Sequence, residues 1–126
     1  ANLVEFALVL PLLLLMLVGI ADLGRAFTTY IAITNAAREG ARFASKLPYS
    51  ESSIEDAVIT EAANSGVALT VEEIEIDNLN GDGGEPITVS IAHDFPLILG
   101  GLVGLPGGSI TLRKRSTMVI FGLEPE

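Results

Sequence analysis

The sequence FALVLPLLLLMLVGIA, residues 6–21, decides how this chain folds, because it carries no charged side chain over sixteen positions. The preceding residues, ANLVE, add a single carboxylate, that of Glu5. A helix over residues 1–21 would rise about 31 Å at about 1.5 Å per residue, which matches the hydrocarbon core of a bilayer. A helix that is apolar on every side must be buried on every side, in lipid or among other helices.

Pro11 lies inside this apolar run. Its ring removes one helical hydrogen bond and crowds the carbonyl of Ala7, so we expect a kink or a loosened turn there. Neighbouring helices could cover such a turn. The helix should continue to about residue 46, since Pro48 disfavours helical geometry at the residue before it.

Beyond Ala21 the pattern becomes that of an amphipathic helix. Asp22 stands three residues before Arg25, a spacing that predicts an ion pair on the helix surface. The apolar face is predicted from residues that recur at helical spacing: Leu23, Phe27, Tyr30, Ile31 and Thr34.

Three small residues, Ala36, Gly40 and Ala44, recur at every fourth position and would let another backbone approach closely. Arg38 and Arg42 stand on the other side of the helix. Two interpretations remain open. The stripe is a thin packing face beside a solvated charged face, or it is a contact between subunits that the arginines lock.

A second helix is predicted over about residues 52–65. Ser52 or Ser53 can cap its first turn, and Gly66 is suited to the left-handed conformation that ends a helix. Its buried face is predicted from helical spacing to consist of Ile54, Val58 and Ala62.

The remaining residues alternate in the manner of β-strands. A first strand is expected over residues 67–77, with a bulge near Glu72 and Glu73 where the alternation slips. A turn at residues 80–84 should lead to a second strand over residues 87–92, and a third strand is expected at residues 110–121. We therefore predict an α+β fold in which a long N-terminal helix (about 1–46) and one short helix pack on a small antiparallel three-stranded β-sheet.

Residues 95–108, FPLILGGLVGLPGG, are predicted to form an apolar loop between the second and third strands. An exposed apolar loop is a site of association. It either packs under the sheet, or it faces a neighbouring subunit or the membrane surface. We favour burial against the long helix of its own chain or against a neighbouring subunit over a membrane contact. Leu97 and Leu99 are the side chains expected to be buried on assembly.

The charge distribution separates two parts of the chain. Residues 1–46 carry three acidic and four basic residues, a net charge of +1, whereas residues 47–126 carry thirteen acidic and three basic residues, a net charge of −10. We expect a stem (residues 1–46) for membrane residence and a filament core, and an acidic head (residues 47–126). The acidic head argues against nucleic-acid binding, which requires a basic surface.

No motif indicates catalysis, a cofactor or a metal. There is no cysteine, and the single histidine, His93, has no second histidine with which to bind a metal. Residues 77–85, DNLNGDGGE, depart from the calcium-loop pattern, since Leu79 stands at its third position and Asp82 at its sixth. We predict a protein that is not an enzyme and has no cofactor.

Three stretches carry a resemblance to a known family: LVEFALVLPLLLLMLVGIADLGRAF (3–27), TNAAREGARFAS (34–45) and ITLRKRSTM (110–118). Together they resemble the TadE-like pilins and pseudopilins of Tad-type pili, within the type IV pilin superfamily. The resemblance implies a precursor cut by a prepilin peptidase, held in the inner membrane, and then assembled by the pilus machinery. Some members have a downstream cysteine pair, which this chain lacks.

The function expected from this resemblance is that of a structural subunit of an extracellular pilus, a homo-oligomeric helical filament at the cell surface with a pool of precursor in the membrane. Such filaments are associated with cell adhesion. The alternatives are a membrane-anchored accessory pseudopilin that primes or assists another pilus, and a single-pass membrane binding module.

Glu5 is expected to pair with the ammonium group of Ala1, taken as the processed N-terminus, on its own or an adjacent subunit. Such a pair would neutralise two charges inside an apolar bundle. The residues expected to carry assembly are Ala1, Glu5, Phe6, Pro11, Ala36, Gly40, Ala44, Arg38, Arg42, Leu97 and Leu99.

Overall fold

The structure is a computed structural model that describes residues 2–46, 50–104 and 106–121. These residues form a long helix, two shorter helices and a small antiparallel three-stranded sheet, which confirms the predicted α+β fold. The elements in chain order are α1 (Asn2–Ala44), α2 (Glu51–Asn64), β1 (Ile74–Asp77), β2 (Pro86–Pro96), α3 (Ile98–Val103) and β3 (Ser109–Val119), with a 3₁₀ turn (Val71–Glu73) before β1.

Helix α1 runs without interruption through Pro11, and a bend there stays a prediction. It ends at Ala44, close to the predicted end. The Ser45 side chain donates a hydrogen bond of 2.9 Å to the carbonyl of Arg42, which satisfies one carbonyl oxygen of the last turn. Pro48, the predicted cause of this ending, lies outside the described residues.

Helix α2 buries Ile54, Val58 and Ala62, so the predicted face is confirmed. The predicted cap at Ser52 or Ser53 is wrong: the N-cap is Ser50, and its hydroxyl contacts the hydroxyl groups of both serines instead of a backbone amide. Gly66 follows the helix at φ 80°, in the left-handed conformation that was expected of it.

The predicted strand from residue 67 and its bulge are wrong, because the chain turns before β1. The carboxylate of Glu73 accepts a hydrogen bond of 2.7 Å from the backbone N–H of Thr70, and the Thr70 side-chain oxygen accepts one from the backbone N–H of Glu73. This capping box closes one 3₁₀ turn at Val71–Glu73. Strand β1 can therefore start only at Ile74, although Val67 and Leu69 are buried as a strand pattern would require.

The sheet has the order β1-β2-β3, and β1 pairs antiparallel to β2 with Ile74 opposite Ile91. The predicted turn between them is confirmed. Asn78 adopts φ 63° and its amide donates a hydrogen bond of 3.0 Å to the carbonyl of Pro86, which holds the two strand ends together.

The predicted loop at residues 95–108 is largely regular structure. Strand β2 continues to Pro96 and α3 follows, ending at Gly104 with φ 64°. Leu97 donates a backbone hydrogen bond of 2.8 Å to the carbonyl of Gly108. A Cβ at Gly100 would lie 2.6 Å from the Cα of Gly108, so the return of the chain past α3 requires glycine there.

The residues group into two compact units, one of residues 1–28 and 94–110 and the other of residues 29–93 and 111–126. We call these unit 1 and unit 2. The division into a stem and a head at residue 46 remains a prediction about roles. The core of unit 2 joins one face of α1, one face of α2 and the strands, and its largest fully buried side chains are Ile33, Ile54, Val58, Ile87, Val89 and Ile91.

Candidate functional site

Helix α1 carries most of the exposed large hydrophobic side chains among the described residues, chiefly in its first half. It is the one described helix that is long and apolar enough to cross a membrane, and none of its most apolar stretch is buried within the chain. Large side chains are exposed around the whole circumference of the helix. The burial that such a helix requires therefore has to come from lipid or from other chains.

This exposed apolar surface continues past the charge-free run. Leu23 is 72% exposed, Phe27 is 64% exposed and Ile31 is 45% exposed. The apolar face predicted at these positions therefore points outward in the single chain. Residues 2–31 rise about 45 Å, whereas a bilayer core is about 30 Å thick. Lipid alone thus leaves the last apolar side chains of this surface uncovered.

The small residues Ala36, Gly40 and Ala44 are buried within unit 2. A Cβ at Gly40 would overlap the Val58 side chain and lie 3.3 Å from Cγ1 of Val89. The close approach that the stripe permits is therefore made to α2 and β2 of the same chain. A role of these three residues in contacts between subunits stays a prediction.

Arg38 and Arg42 are exposed on the outer side of α1. Arg42 forms a two-pronged ion pair with Glu39, with nitrogen–oxygen distances of 2.6 and 2.8 Å. The hydrogen bond from this guanidinium lowers the pKa of Glu39 and raises that of Arg42. Both residues lie well beyond the apolar run, where α1 is amphipathic.

Asp22 was predicted to form a surface ion pair, and the structure corrects its location. Its side chain pairs with Arg25 at 2.7 Å, but the residue is only 3% exposed. Its second oxygen accepts a hydrogen bond of 2.8 Å from the backbone N–H of Leu99, in the first turn of α3. The Arg25 guanidinium lies 4.9 Å from the ring centre of Phe95. Asp22 thus accepts a hydrogen bond from a backbone N–H at the start of α3 that has no partner within the helix. The two residues are 77 positions apart, so no local sequence pattern could reveal this contact.

Leu97 and Leu99 are half-buried in unit 1. Leu99 lies against α1, since a Cβ at Gly19 would be 3.8 Å from its Cδ2. Part of the predicted apolar loop therefore packs on the long helix of its own chain. Other side chains of the same segment remain exposed: Ile98, Leu102 and Val103.

Glu5, Phe6 and Pro11 are exposed in the single chain. They occupy the part of α1 for which no packing partner exists within the described residues. Ala1, the predicted partner of Glu5, lies outside the described residues. The role assigned to these four residues in assembly remains a prediction.

The remaining polar groups show no constellation that would indicate catalysis in the part of the chain that the structure describes. Nδ1 of His93 lies 2.7 Å from Oε1 of Glu73, a contact that no local sequence pattern predicts because the two residues are 20 positions apart. Within the described ranges, no group of three or more histidine, aspartate or glutamate side chains is placed to hold a metal ion.

These features define a class of protein: an α+β chain whose first helix is long and apolar enough to cross a membrane, and whose most apolar stretch is not buried by the rest of the chain. Within that class, residues 2–42 match the family model described as TadE-like protein. The match confirms the resemblance seen in the sequence. No curated protein and no solved structure matches the chain.

The matched residues are almost the whole of α1, so the family match rests on the same helix as the unburied apolar surface. It indicates a protein associated with Tad pili that carries an apolar N-terminal helix, and a family that is structural rather than catalytic. The sequence of unit 2 beyond α1 is not part of the match.

Proposed function

We propose that this protein is a structural subunit of an extracellular Tad-type pilus, and that it polymerises through the apolar part of α1. Before assembly the helix resides in the membrane, and a prepilin peptidase and the pilus machinery act on it there. After assembly the helices of neighbouring subunits replace lipid around the apolar run.

The observation that carries this proposal is the length of the exposed apolar surface. A helix used only as an anchor needs about 20 apolar residues, yet large exposed hydrophobic side chains on α1 continue as far as Ile31. The contiguous apolar surface past the bilayer length is what a bundle of parallel, staggered helices would cover. A monomeric accessory protein or a membrane binding module would leave it in contact with water.

Glu5 fits the same proposal. A carboxylate deep in an apolar environment costs about 2.5–3.5 kcal/mol on insertion scales, so it needs a compensating positive charge. In pilins, which the first helix resembles, the amino group freed by peptidase cleavage is the expected partner. Loss of one member of a buried ion pair costs about 3–5 kcal/mol, because the other is left uncompensated. The pair would therefore set the register of the helices and select processed subunits.

The test is a fractionation of cells that express the chain. Surface fibres are sheared off, and the amounts of this chain in the fibres, the inner membrane and the medium are measured. The proposal predicts fibres made mainly of this chain. Recovery only from the membrane, as a detergent-soluble monomer, would contradict it and favour the accessory protein or the binding module. A trace of this chain in fibres made of another pilin would favour the accessory protein.

A substitution at the upper end of the apolar surface separates membrane residence from assembly. Ile31→Glu leaves the charge-free run intact, so the chain should still enter the membrane, but it places a charge where helices are proposed to pack. We expect it to be absent from fibres. Ser52→Glu, which adds the same charge to an exposed position of α2, is the matched control and should assemble normally.

A further inference from the structure

The outer face of the sheet has a charge gradient from one edge to the other. Glu75 lies opposite Ser90 in the register of β1 and β2, and Asp77 lies opposite Thr88. On the far side of β2, Arg115 donates a hydrogen bond of 3.3 Å to Ser90, and the hydroxyl groups of Thr88 and Thr117 are 2.8 Å apart. Two rows of side chains therefore cross the sheet from β1 through β2 to β3. One consists of Glu75, Ser90 and Arg115, and the other of Asp77, Thr88 and Thr117.

The basic end of this gradient is the only positive part of the head. Every basic residue beyond Lys46 lies in the run Arg113, Lys114, Arg115 of β3. Because side chains alternate along a strand, Arg113 and Arg115 share the outer face, and both are exposed. Lys114 points to the other face, where its ammonium lies 5.7 Å from the ring centre of Tyr30.

The acidic and basic ends lie at the two edges of the described sheet, since the strand order is β1-β2-β3. Glu75 and Asp77 are exposed at the β1 edge. The two acids are two residues apart on one strand, and so are the two arginines, so both pairs have the same spacing of about 7 Å. The edges are therefore complementary in both charge and spacing.

We infer that the β3 edge of one head docks beside the β1 edge of the next copy of this chain. Two heads with a net charge of −10 each repel one another in most orientations. Placing Arg113 and Arg115 beside the acidic edge of a neighbour replaces this repulsion by attraction. The contact joins two different patches, so it is heterologous and repeats without closing, as a filament requires.

This inference rests on the proposed function, because it supplies the contact between heads in a filament whose stems pack through α1. It goes beyond that function by naming the surfaces that meet. The strongly acidic outer side of α2 is the competing partner for the basic edge, and the experiment has to separate the two.

The first experiment is a charge exchange in the full chain, with the fraction of the chain in sheared fibres as the measurement. Arg115→Glu and Glu75→Arg, each alone, place like charges together at every contact and should lower that fraction about tenfold. The chain with both substitutions again has opposite charges at the contact, and most of the parent chain's fibre fraction should be recovered. Asp56→Arg, a charge reversal of the same size on exposed α2, should assemble like the parent chain.

The outcomes of this experiment separate the two proposals. If the parent chain is absent from fibres, both the proposed function and this contact are overturned. If the parent chain forms fibres and the single reversals assemble normally, or the double exchange fails to restore assembly although the head still unfolds cooperatively, only the contact is overturned. If Asp56→Arg lowers the fibre fraction and Glu75→Arg does not, the basic edge docks on α2 and the inference is wrong.

The second experiment uses the absence of native cysteine. Chains carrying either Asp77→Cys or Thr117→Cys are assembled together and treated with a short bis-maleimide. The inference predicts dimers that link the two kinds of chain, and few dimers of one kind. Dimers made of two Thr117→Cys chains would show a two-fold contact and overturn the heterologous arrangement, as would a complete lack of cross-linking in fibres.

Discussion

A comparison of two parts of α1 shows that hydrophobicity and burial are separate properties in this protein. Residues 6–21 are almost all large and apolar, and none of them is buried within the chain. Residues 32–44 contain small side chains and charges, yet their inner face includes Ile33, Ala37 and Ala41, which are wholly buried in the core of unit 2. Residues 6–21 can be buried only by lipid or by other chains, whereas residues 32–44 pack against α2 and the sheet of their own chain.

The largest expected effect on stability comes from replacing isoleucine by alanine in the buried part of α1, and the same replacement in the apolar part should have little effect. Ile33→Ala removes a fully buried side chain and should lower the free energy of unfolding by about 2–5 kcal/mol. Ile20→Ala makes the same change at a position that is 66% exposed, and should alter the free energy of unfolding by about 0.5 kcal/mol or less. The measurement is denaturant unfolding of the full chain in detergent. Equal effects of the two substitutions would contradict the comparison.

A second pair tests the close approach at Gly40. Gly40→Leu places a side chain where Val58 and Val89 already lie, and overpacking of this kind typically costs about 1–3 kcal/mol. Gly24→Leu meets nothing within 4 Å and should stabilise the helix slightly by removing a glycine.

The measurement for this pair is the melting temperature of each variant in detergent, compared with its yield in fibres. If Gly40→Leu melts like the parent chain but assembles poorly, the stripe is a contact between subunits and not part of the core of unit 2.

A smaller and more local effect is expected at Asp22. Asp22→Asn keeps an acceptor for the Leu99 amide but loses the charge, and a neutral hydrogen bond is roughly half as strong as a charge-assisted one. The Leu99 amide should therefore exchange its hydrogen faster, and α3 should be cut more readily by proteases. Asp56→Asn, an exposed position on α2, is the control and should change neither. Unaltered exchange at Leu99 in the Asp22 variant would refute the role of Asp22 as a cap.

The smallest expected effect concerns Glu39. Its pKa lies below the ordinary value of 4.5 because Arg42 donates hydrogen bonds to the carboxylate. A lowered pKa in the folded state gives a stabilisation that is fully present above pH 4.5 and is lost as the pH falls through the lowered value. The difference in stability between the parent chain and Glu39→Gln should therefore shrink below pH 4.5. If this difference in stability instead grows as the pH falls, the ion pair of Glu39 with Arg42 does not stabilise the folded chain in the way described.

The sequence predicted those elements whose signals are local. The periodicity of Ile54, Val58 and Ala62 identified the buried face of α2, and alternation identified β2. The start of β1 was missed because a strand pattern at residues 67–71 overlaps a capping box of Thr70 and Glu73. The threonine and glutamate spacing of that capping box was present in the sequence and could have been recognised.

The packing of α1 could not be predicted in the same way. The sequence predicts an apolar face that includes Phe27 and Ile31, and a larger side chain buries more apolar area wherever it is packed. The structure instead buries the small residues, which let α2 approach closely, and leaves the larger ones outside. A single sequence does not show which apolar side chains of a helix are buried within their own chain. The buried location of Asp22 likewise depends on a segment that is distant in sequence.

The central claim is that the exposed apolar surface of α1 is covered by other copies of the chain, above the level at which lipid can cover it. A single Ile31→Cys reporter tests it, because the parent chain has no cysteine. Glu51→Cys, at the exposed start of α2, serves as the control in the same preparations. The rate of reaction with a water-soluble maleimide is compared between the membrane-resident chain and sheared fibres. The account predicts that the thiol of the Ile31→Cys chain reacts in the membrane pool and is protected in fibres, whereas that of the Glu51→Cys chain reacts in both; equal labelling of the Ile31→Cys chain in the two states would contradict it.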